Sequence, residues 1–431
     1  MFTAQAETPG AVTVSQSHTS QRKRATTDQN QGTDTEFART GGDSRENLDE
    51  LSQDATNLSR GQIAVRVLAA LGLLYTLICA VGLIGTGFGN LGEDTASGLF
   101  DFAVNPLVGL AVGILATSVI QSSSTTTAIA VTAVGTGALP LSVAVPIIMG
   151  ANVGTSVTNT LASLGFVGTK DEFRRAFSAA TVHDFFNLFA VALLLPLEML
   201  FHPLERLAEL ITGPLSGIQT TDPGDADVVS MVTDPVVNGL AWVLGFPGET
   251  MGAVLQILGG VALIFLSVRY LGKLLQTLMV GKAKKILHKT VGGTPPVAMG
   301  AGALVTVLAQ SSSVTTSVLV PFAGSGALST RQIYPVTLGA NIGTTTTALI
   351  AAMAVTGENA TIALQAALVH LLFNLLGILL IYVLPFLRNI PLACATWLGS
   401  LAAERKWVAA AWIIAAFLVA PGAVVLISAV L

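Results

Sequence analysis

The sequence predicts an all-α polytopic membrane protein of two inverted-topology repeats, each with a re-entrant helical hairpin, plus one extra C-terminal helix. Three observations carry this prediction: an apolar composition, a duplicated run of hydroxyl residues, and the distribution of charge among the loops. The chain has 431 residues, of which 52% are hydrophobic and 11% charged. Because soluble domains carry about 25% charged residues, this composition indicates an integral membrane protein. The net charge of −4 offers no basis for a nucleic-acid partner.

Apolar stretches of about 20 residues can cross a bilayer as helices. The chain has seven such stretches: 63–88, 141–164, 177–200, 251–280, 332–355, 361–387 and 407–431. Two further segments, 104–139 and 295–328, have apolar arms around a polar centre and a Gly-rich end. This shape predicts hairpins that enter the membrane part way, which is tolerated where the irregular backbone is buried in protein or lines a wet cavity.

The two halves of the chain contain one unit twice. QSSSTTTAIA at 121–130 answers QSSSVTTSVL at 310–319, and an offset of 189 aligns 121–158 with 310–347 without a gap. Of these 38 aligned positions, 18 are identical. The predicted organisation is a disordered polar tail (1–62), repeat 1 (63–213), an extracytoplasmic linker (214–251), repeat 2 (252–403) and a C-terminal transmembrane helix (404–431).

Loop charges predict the orientation. Basic clusters lie at 170–175, 281–289 and 404–406, whereas the loops 89–101 and 213–250 are acidic. The positive-inside rule therefore places the basic loops and the N-terminus in the cytoplasm. Each repeat then crosses the membrane three times, so the second is inverted relative to the first, as in many secondary transporters.

The hairpin tips are the predicted substrate site. Their hydroxyl, amide and backbone N–H groups at a helix start suit an anion, and the same oxygens suit a hard cation such as Na⁺. Neither hairpin contains Lys or Arg, so a bound anion needs accompanying cations. The alternative, that Ser and Thr only join helices, is disfavoured by the duplication in register. The candidate substrate ligands are Gln121, Ser122, Ser123, Ser124, Gln310, Ser311, Ser312 and Ser313.

Two further motifs supply candidate sodium ligands. GANVGTSVTNT (150–160) and GANIGTTTTAL (339–349) carry amides and hydroxyls beside the tips, and HDFFN (183–187) carries an acid within an apolar span. Acids at such positions are functional candidates, and the equivalent residue in repeat 2 is Leu371. Helix–helix hydrogen bonding and, for the acid, interfacial depth are the alternatives. The candidates are Asp184, Asn152, Thr155, Asn187, Asn341, Thr344, Thr126 and Thr315.

At the paired QSSS runs, the GANxGT segments and HDFFN, the sequence resembles the type II sodium-dependent phosphate cotransporters and their bacterial relatives. The resemblance implies Na⁺-coupled uptake of inorganic phosphate across the plasma membrane, with substrate between the two hairpins. It implies Na⁺ as co-substrate and no cofactor. Family members with an acid in HDxFN tend to be electrogenic, so Asp184 resembles an extra Na⁺ ligand. The crossings counted above leave the C-terminus outside, whereas the family usually has both chain ends in the cytoplasm. Either 388–404 crosses the membrane, therefore, or the last helix does not.

Two other functions stay open from the residues alone. One is a Na⁺-coupled carrier of another oxyanion, such as sulfate or a small carboxylate. The other is a channel-like or sensory membrane protein with a polar interior. No Walker A run, metal-spaced Cys or His cluster or GxSxG elbow is present, so we expect no enzyme activity. Assembly into a homo-oligomer in the lipid bilayer is left open.

Overall fold

The computed structural model describes residues 59–91, 105–216, 228–290, 293–356 and 359–430. Most of the predicted tail 1–62 and most of the acidic loop 89–101 lie outside these residues. The acidic stretch 222–227 lies entirely outside them. The helices are α1 (Arg60–Leu91), α2 (Pro106–Ile120), α3 (Ser123–Gly135), α4 (Leu141–Thr155), α5 (Val157–Ser163), α6 (Lys170–Phe201), α7 (Pro203–Ser216), α8 (Val228–Gly245), α9 (Glu249–Thr290), α10 (Pro295–Ala309), α11 (Ser312–Ser317), α12 (Leu319–Gly324), α13 (Thr330–Met353), α14 (Ala360–Gly377), α15 (Asn389–Glu404), α16 (Trp407–Ile414) and α17 (Ala420–Val430).

Seven helical segments among the described residues are long and apolar enough to cross a membrane: Ala64–Leu91, Leu141–Phe166, Lys170–Phe201, Glu249–Leu274, Thr330–Met353, Ala360–Val383 and Trp407–Val430. They coincide with the seven predicted stretches, which confirms the all-α polytopic class. Helix α15 covers the segment whose crossing was left open. It has 16 residues, fewer than the roughly 20 that a spanning helix needs, whereas the segment from Trp407 has sufficient length.

Both QSSS runs interrupt a helix in the same way. Gln121 and Gln310 adopt left-handed backbone angles, with φ of 60° and 50°, and the serine after each is extended. Such angles are uncommon for residues other than glycine. In the described part of the chain, the only other non-glycine residue with positive φ is His202. Two breaks with matching geometry, 189 residues apart, indicate that the tips are structural equivalents.

Glycines bring the first arm of each hairpin against a neighbouring helix. Gly150 of α4 lies against the Leu110 carbonyl of α2, and Gly339 of α13 lies against the Met299 carbonyl of α10. A Cβ atom at either glycine would overlap a backbone oxygen. Small residues at such contacts allow the close backbone approach typical of membrane helix packing. The same device is therefore used in both halves.

The far end of each hairpin rests on the other repeat. Gly135, at the end of α3, lies against the Val355 side chain, and Gly324, at the end of α12, lies against the Phe166 ring. Both pairs of equivalent residues, 135/324 and 166/355, are separated by 189. Arg175 adds a polar contact to the second hairpin only, because its Nε and Nη2 atoms donate to the Gly324 carbonyl at 2.9 and 2.7 Å. Reciprocal contacts of this kind are what twofold-related repeats produce.

The glycine contacts predict that valine substitutions at two nearby positions of α10 destabilise the fold by different amounts. Gly302 lies against the Val336 carbonyl, whereas Gly300 has open space where its side chain would be. We expect Gly302→Val to destabilise the fold by about 1–3 kcal/mol through overpacking and Gly300→Val to be close to neutral. Thermal unfolding of the two purified variants in detergent, followed by size-exclusion chromatography, measures the difference. Equal unfolding midpoints would contradict the proposed packing.

Candidate functional site

The two glutamines close the helix breaks at the hairpin tips. The Gln121 Oε1 atom accepts a hydrogen bond from the Thr158 hydroxyl at 2.9 Å, and Gln310 Oε1 accepts one from Thr347 at 3.0 Å. Their Nε2 atoms turn back to the preceding helix and donate to the carbonyls of Ser118 and Val307. Every member of one set lies 189 residues from its counterpart. Both side-chain amide groups thus already bond within the protein.

The serines of the two tips divide into two groups. Ser122 and Ser311 cap the helices that follow them, since their Oγ atoms accept from the backbone N–H of Thr125 at 3.2 Å and of Val314 at 3.3 Å. The hydroxyls of the remaining serines make no hydrogen bond to any other residue in the described ranges, although three of the four are buried. These four serines, which have hydroxyls available for a ligand, are Ser123, Ser124, Ser312 and Ser313.

A buried network of amides and an imidazole ties the second hairpin to repeat 1. The His183 ring lies between the Asn341 Oδ1 atom, 2.6 Å from its Nε2, and the Asn159 Nδ2 atom, 3.2 Å from its Nδ1. Asn159 Oδ1 accepts from the Thr316 hydroxyl of α11 at 2.7 Å. Asn341 Nδ2 donates to Asn187 Oδ1 at 2.8 Å. All five side chains are buried, and each polar atom named has a partner.

The equivalent cluster in the other half is incomplete. The residue that corresponds to Asn159 is Ala348, so the His370 ring has no such neighbour. The Asn374 Nδ2 atom donates to the His370 carbonyl at 2.9 Å and approaches Asn152 Oδ1 only at 3.5 Å. Both ring nitrogens of His370, Asn152 Nδ2 and Asn374 Oδ1 are buried without hydrogen-bond partners among the described residues. Each such group costs about 1–3 kcal/mol, so this cluster is less favourable than its counterpart around His183.

Asp184 is fully buried and faces the C-terminal helix. The Thr160 hydroxyl donates to its carboxylate at 3.1 and 3.2 Å, and Trp412 Nε1 donates to Oδ2 at 2.8 Å. The Phe185 and Trp412 rings pack with centroids 5.0 Å apart, which fixes the indole. No Lys, Arg or His in the part of the chain that the structure describes forms an ion pair with Asp184. Its neighbours orient the carboxylate with neutral donors and leave its charge uncompensated.

The structure brings some of the predicted sodium ligands together and keeps others apart. Asn187 links Asn341 to Asn152, because its Nδ2 atom donates to the Asn152 carbonyl at 2.8 Å. Asp184 bonds separately, toward α16. The hydroxyls of the four threonines donate to carbonyls of their own helices four residues earlier: Thr155, Thr344, Thr126 and Thr315. The Thr315 oxygen also accepts a hydrogen bond from the Thr306 hydroxyl at 2.8 Å. The oxygen lone pairs of the other three threonines are the part still able to accept a ligand.

Three of the contact residues lie within the sequence motifs but are not among the predicted ligands. Asn159 and Thr160 belong to the GANVGTSVTNT segment, and Thr316 belongs to the second QSSS run. Trp412 has no such signal, because it lies in the last helix, outside both repeats. No spacing in the sequence connects it with Asp184, 228 residues away.

A family model described as Na⁺/Pi-cotransporter matches residues 76–213 and 241–390. The two matched blocks together cover more than half of the chain. The chain belongs to the Na⁺/Pi-cotransporter family. Each matched block contains one of the two QSSS runs, so the family resemblance extends over both hairpins.

Curated relatives support the family assignment. The chain is 34% identical to sodium-dependent phosphate transport protein 2A of Ovis aries, over 84% of this chain and 68% of the relative. It is 33% identical to sodium-dependent phosphate transport protein 2B of Homo sapiens, over 83% of this chain and 64% of the relative. The matched region thus spans about two thirds of the length of these relatives. No solved structure matches the chain significantly.

We expect alanine substitutions of the two asparagines in the GAN segments to lower the stability of the fold by unequal amounts. Replacing Asn341 with alanine leaves His183 and Asn187 with buried, unpartnered atoms, at a cost of about 1–3 kcal/mol for each group. Replacing Asn152 removes an amide whose Nδ2 atom is already without a partner. We therefore expect Asn341→Ala to lower the unfolding midpoint well below that of Asn152→Ala, both measured without Na⁺ or phosphate. A larger loss in Asn152→Ala would contradict this account of the two clusters.

Proposed function

We propose that this protein is a secondary active symporter that couples Na⁺ entry to the uptake of inorganic phosphate across the plasma membrane. The observation that carries the proposal is the pair of matching helix breaks at Gln121 and Gln310, within a chain of the Na⁺/Pi-cotransporter family. The relatives are named sodium-dependent phosphate transport proteins. The N-terminus is proposed to be cytoplasmic, on the side of the basic loops.

Phosphate would be bound by hydroxyl groups rather than by basic side chains. The hydroxyls that can donate to phosphate oxygens, because they have no partner among the residues that the structure describes, are those of Ser123, Ser124, Ser312 and Ser313. Near neutral pH phosphate is a mixture of mono- and dianion, and burying that charge without neutralisation is costly. Since neither hairpin carries Lys or Arg, co-bound Na⁺ ions are the proposed source of positive charge. Phosphate and Na⁺ binding are then coupled, because each ion lowers the free-energy cost of burying the other's charge.

The proposed sodium ligands are oxygens of the buried polar cluster. Asp184 supplies a carboxylate with no cationic partner in the described ranges, and Asn374 supplies an unpartnered Oδ1 atom. Asn152, Asn187 and Asn341 are linked to one another by hydrogen bonds, and Asn374 approaches Asn152 at 3.5 Å, whereas Asp184 bonds separately to Thr160 and Trp412. Oxygen ligands of this kind suit a hard cation. Because the Asn–His network is complete in only one half, we propose that the two halves provide cation sites with different ligands.

The first test of this function is uptake of radiolabelled phosphate into proteoliposomes. We expect saturable accumulation with an inward Na⁺ gradient and almost none when K⁺ or choline replaces Na⁺. A triple alanine substitution in either hairpin, at Ser122 to Ser124 or at Ser311 to Ser313, should abolish phosphate uptake, because both tips are needed. The matched control is Ser142→Ala, at an exposed position near the start of α4, which should transport normally.

Several results would reject the proposal. Full uptake in K⁺ or choline would remove Na⁺ coupling, and normal uptake by either triple variant would remove the shared site. Accumulation of sulfate or a small carboxylate in preference to phosphate would indicate a carrier of another oxyanion. Simple dissipation of a phosphate gradient would indicate a channel.

A second test concerns the charge moved in each cycle. We propose that Asp184 holds a cation that adds net positive charge, so phosphate should evoke an inward current in the parent protein. The Asp184→Gly variant should lose this current while some Na⁺-dependent phosphate uptake remains. Trp412→Phe is the control, since it removes one hydrogen bond but leaves the carboxylate charge, and it should keep a current. A phosphate-driven current of full size in Asp184→Gly would show that the carboxylate is only structural.

A further inference from the structure

A cavity lies away from the hairpin tips, where α13 begins and where the helical segment Ile378–Val383, which continues α14, ends. It has a volume of about 290 Å³. The residues that matter for its chemistry are Arg331, Tyr334, Tyr382, Arg388 and Asn389, all of which line it. None of these residues belongs to either QSSS hairpin or to the Asn–His network. The cavity is therefore a separate feature of the molecule.

The cavity carries positive charge without a counter-ion. Neither Arg331 nor Arg388 forms an ion pair with an acid in the described ranges, and no Asp or Glu lines the cavity. The Arg331 Nη2 atom donates to Asn389 Oδ1 at 3.3 Å, which leaves the other N–H groups of its guanidinium available. Arginine presents planar, forked donors that match the oxygens of a phosphate group. Two such side chains at one cavity indicate an anion of this type.

Tyr334 supplies an independent observation. Its side chain is 1% exposed, and its hydroxyl is buried without a hydrogen-bond partner in the described part of the chain, although the residue lines the cavity. The ring is held edge-on between Phe186 and Tyr382, with centroid distances of 6.1 and 5.2 Å. A buried hydroxyl without a partner is unfavourable. A phosphate oxygen in the cavity would accept a hydrogen bond from this hydroxyl.

An open groove continues from this cavity along α15. The groove shares Arg331, Asn389 and Leu392 with the cavity and extends over Ala393 and Trp397. The Trp397 side chain is 64% exposed, and tryptophan is enriched where membrane and water meet. The groove also carries the polar residues Ser329, Thr330, Thr396 and Ser400 beside Leu392, Ala393 and Trp397. A charged cavity that opens onto a groove with both apolar and polar side chains suits an amphiphile with a phosphate head and acyl tails.

We propose that Arg331, Arg388 and Tyr334 form a binding site for a phosphate group, distinct from the transport site. The phosphate group belongs either to an anionic phospholipid or to free inorganic phosphate, and the adjoining groove favours the lipid. The site depends on residues that the transport proposal does not use. Its success or failure is therefore independent of whether the protein is a symporter.

The test measures the thermal unfolding midpoint of the purified protein in detergent and Na⁺-free choline buffer. Three compounds are titrated: dioctanoyl phosphatidate, dioctanoylglycerol, which lacks the phosphate, and inorganic phosphate. The variants are the double variant Arg331→Gln/Arg388→Gln and Tyr334→Phe, which keeps the packed ring. Arg405→Gln is the matched control, because Arg405 is also exposed but does not line the cavity.

We expect phosphatidate to raise the midpoint of the parent protein and of Arg405→Gln, with dioctanoylglycerol giving no shift. The half-saturating concentration should rise about tenfold or more in the double variant, given the strength of hydrogen bonds to charged groups, and less in Tyr334→Phe. An Arg331- and Arg388-dependent shift with inorganic phosphate alone would support the site with free phosphate as its ligand. Shifts that are unchanged in the double variant, or lost equally in Arg405→Gln, would overturn the proposal, as would the absence of a shift with both phosphate compounds.

Discussion

A helix that ends inside a membrane must have its exposed polar groups satisfied by the protein, because the hydrocarbon offers no hydrogen bonds. This constraint acts twice here, at Gln121 and at Gln310. The side-chain amide of each glutamine donates a hydrogen bond to the helix that the residue terminates. Its oxygen accepts a hydrogen bond from a threonine of another helix, Thr158 of α5 or Thr347 of α13. Close glycine contacts then hold the broken arm against a continuous helix. The placement of the serines with available hydroxyls depends on these contacts.

The scaffold is nearly symmetric, but its polar lining is not. The tips, their glutamine bonds and the glycine contacts repeat at an offset of 189, whereas the Asn–His network is complete in only one half. One substitution, alanine at 348 where the other half has Asn159, removes the partner that would match His370. Asp184 against Leu371 is a second difference. The paired elements thus form a repeated frame, and a few side chains make the polar linings of the two halves different.

The sequence was informative wherever a property repeats or extends over many residues. The seven spans follow from hydropathy, and the position of both tips follows from polar runs inside apolar segments. The backbone angles at Gln121 and Gln310 were not predictable, because positive φ is rare for glutamine. Asn159 and Thr160 lay in a recognised motif, but which partner each would bond depended on how α5 packs against α6. The Trp412 contact with Asp184 could not be inferred, since it joins a helix outside the repeats to one within them.

The Arg175 contact gives the two hairpins different mechanical properties. Two hydrogen bonds fasten the far end of the second hairpin to α6, while Gly135 of the first meets the apolar side chains of Val355 and Ala363. Apolar surfaces can slide past one another with little directional preference, but a guanidinium bonded to a single carbonyl resists displacement in most directions. A rocking motion between the repeats would therefore be resisted by the Arg175 hydrogen bonds at the second hairpin and resisted less by the apolar contact at the first. The two halves of a transport cycle would then differ in barrier height even though the framework is duplicated.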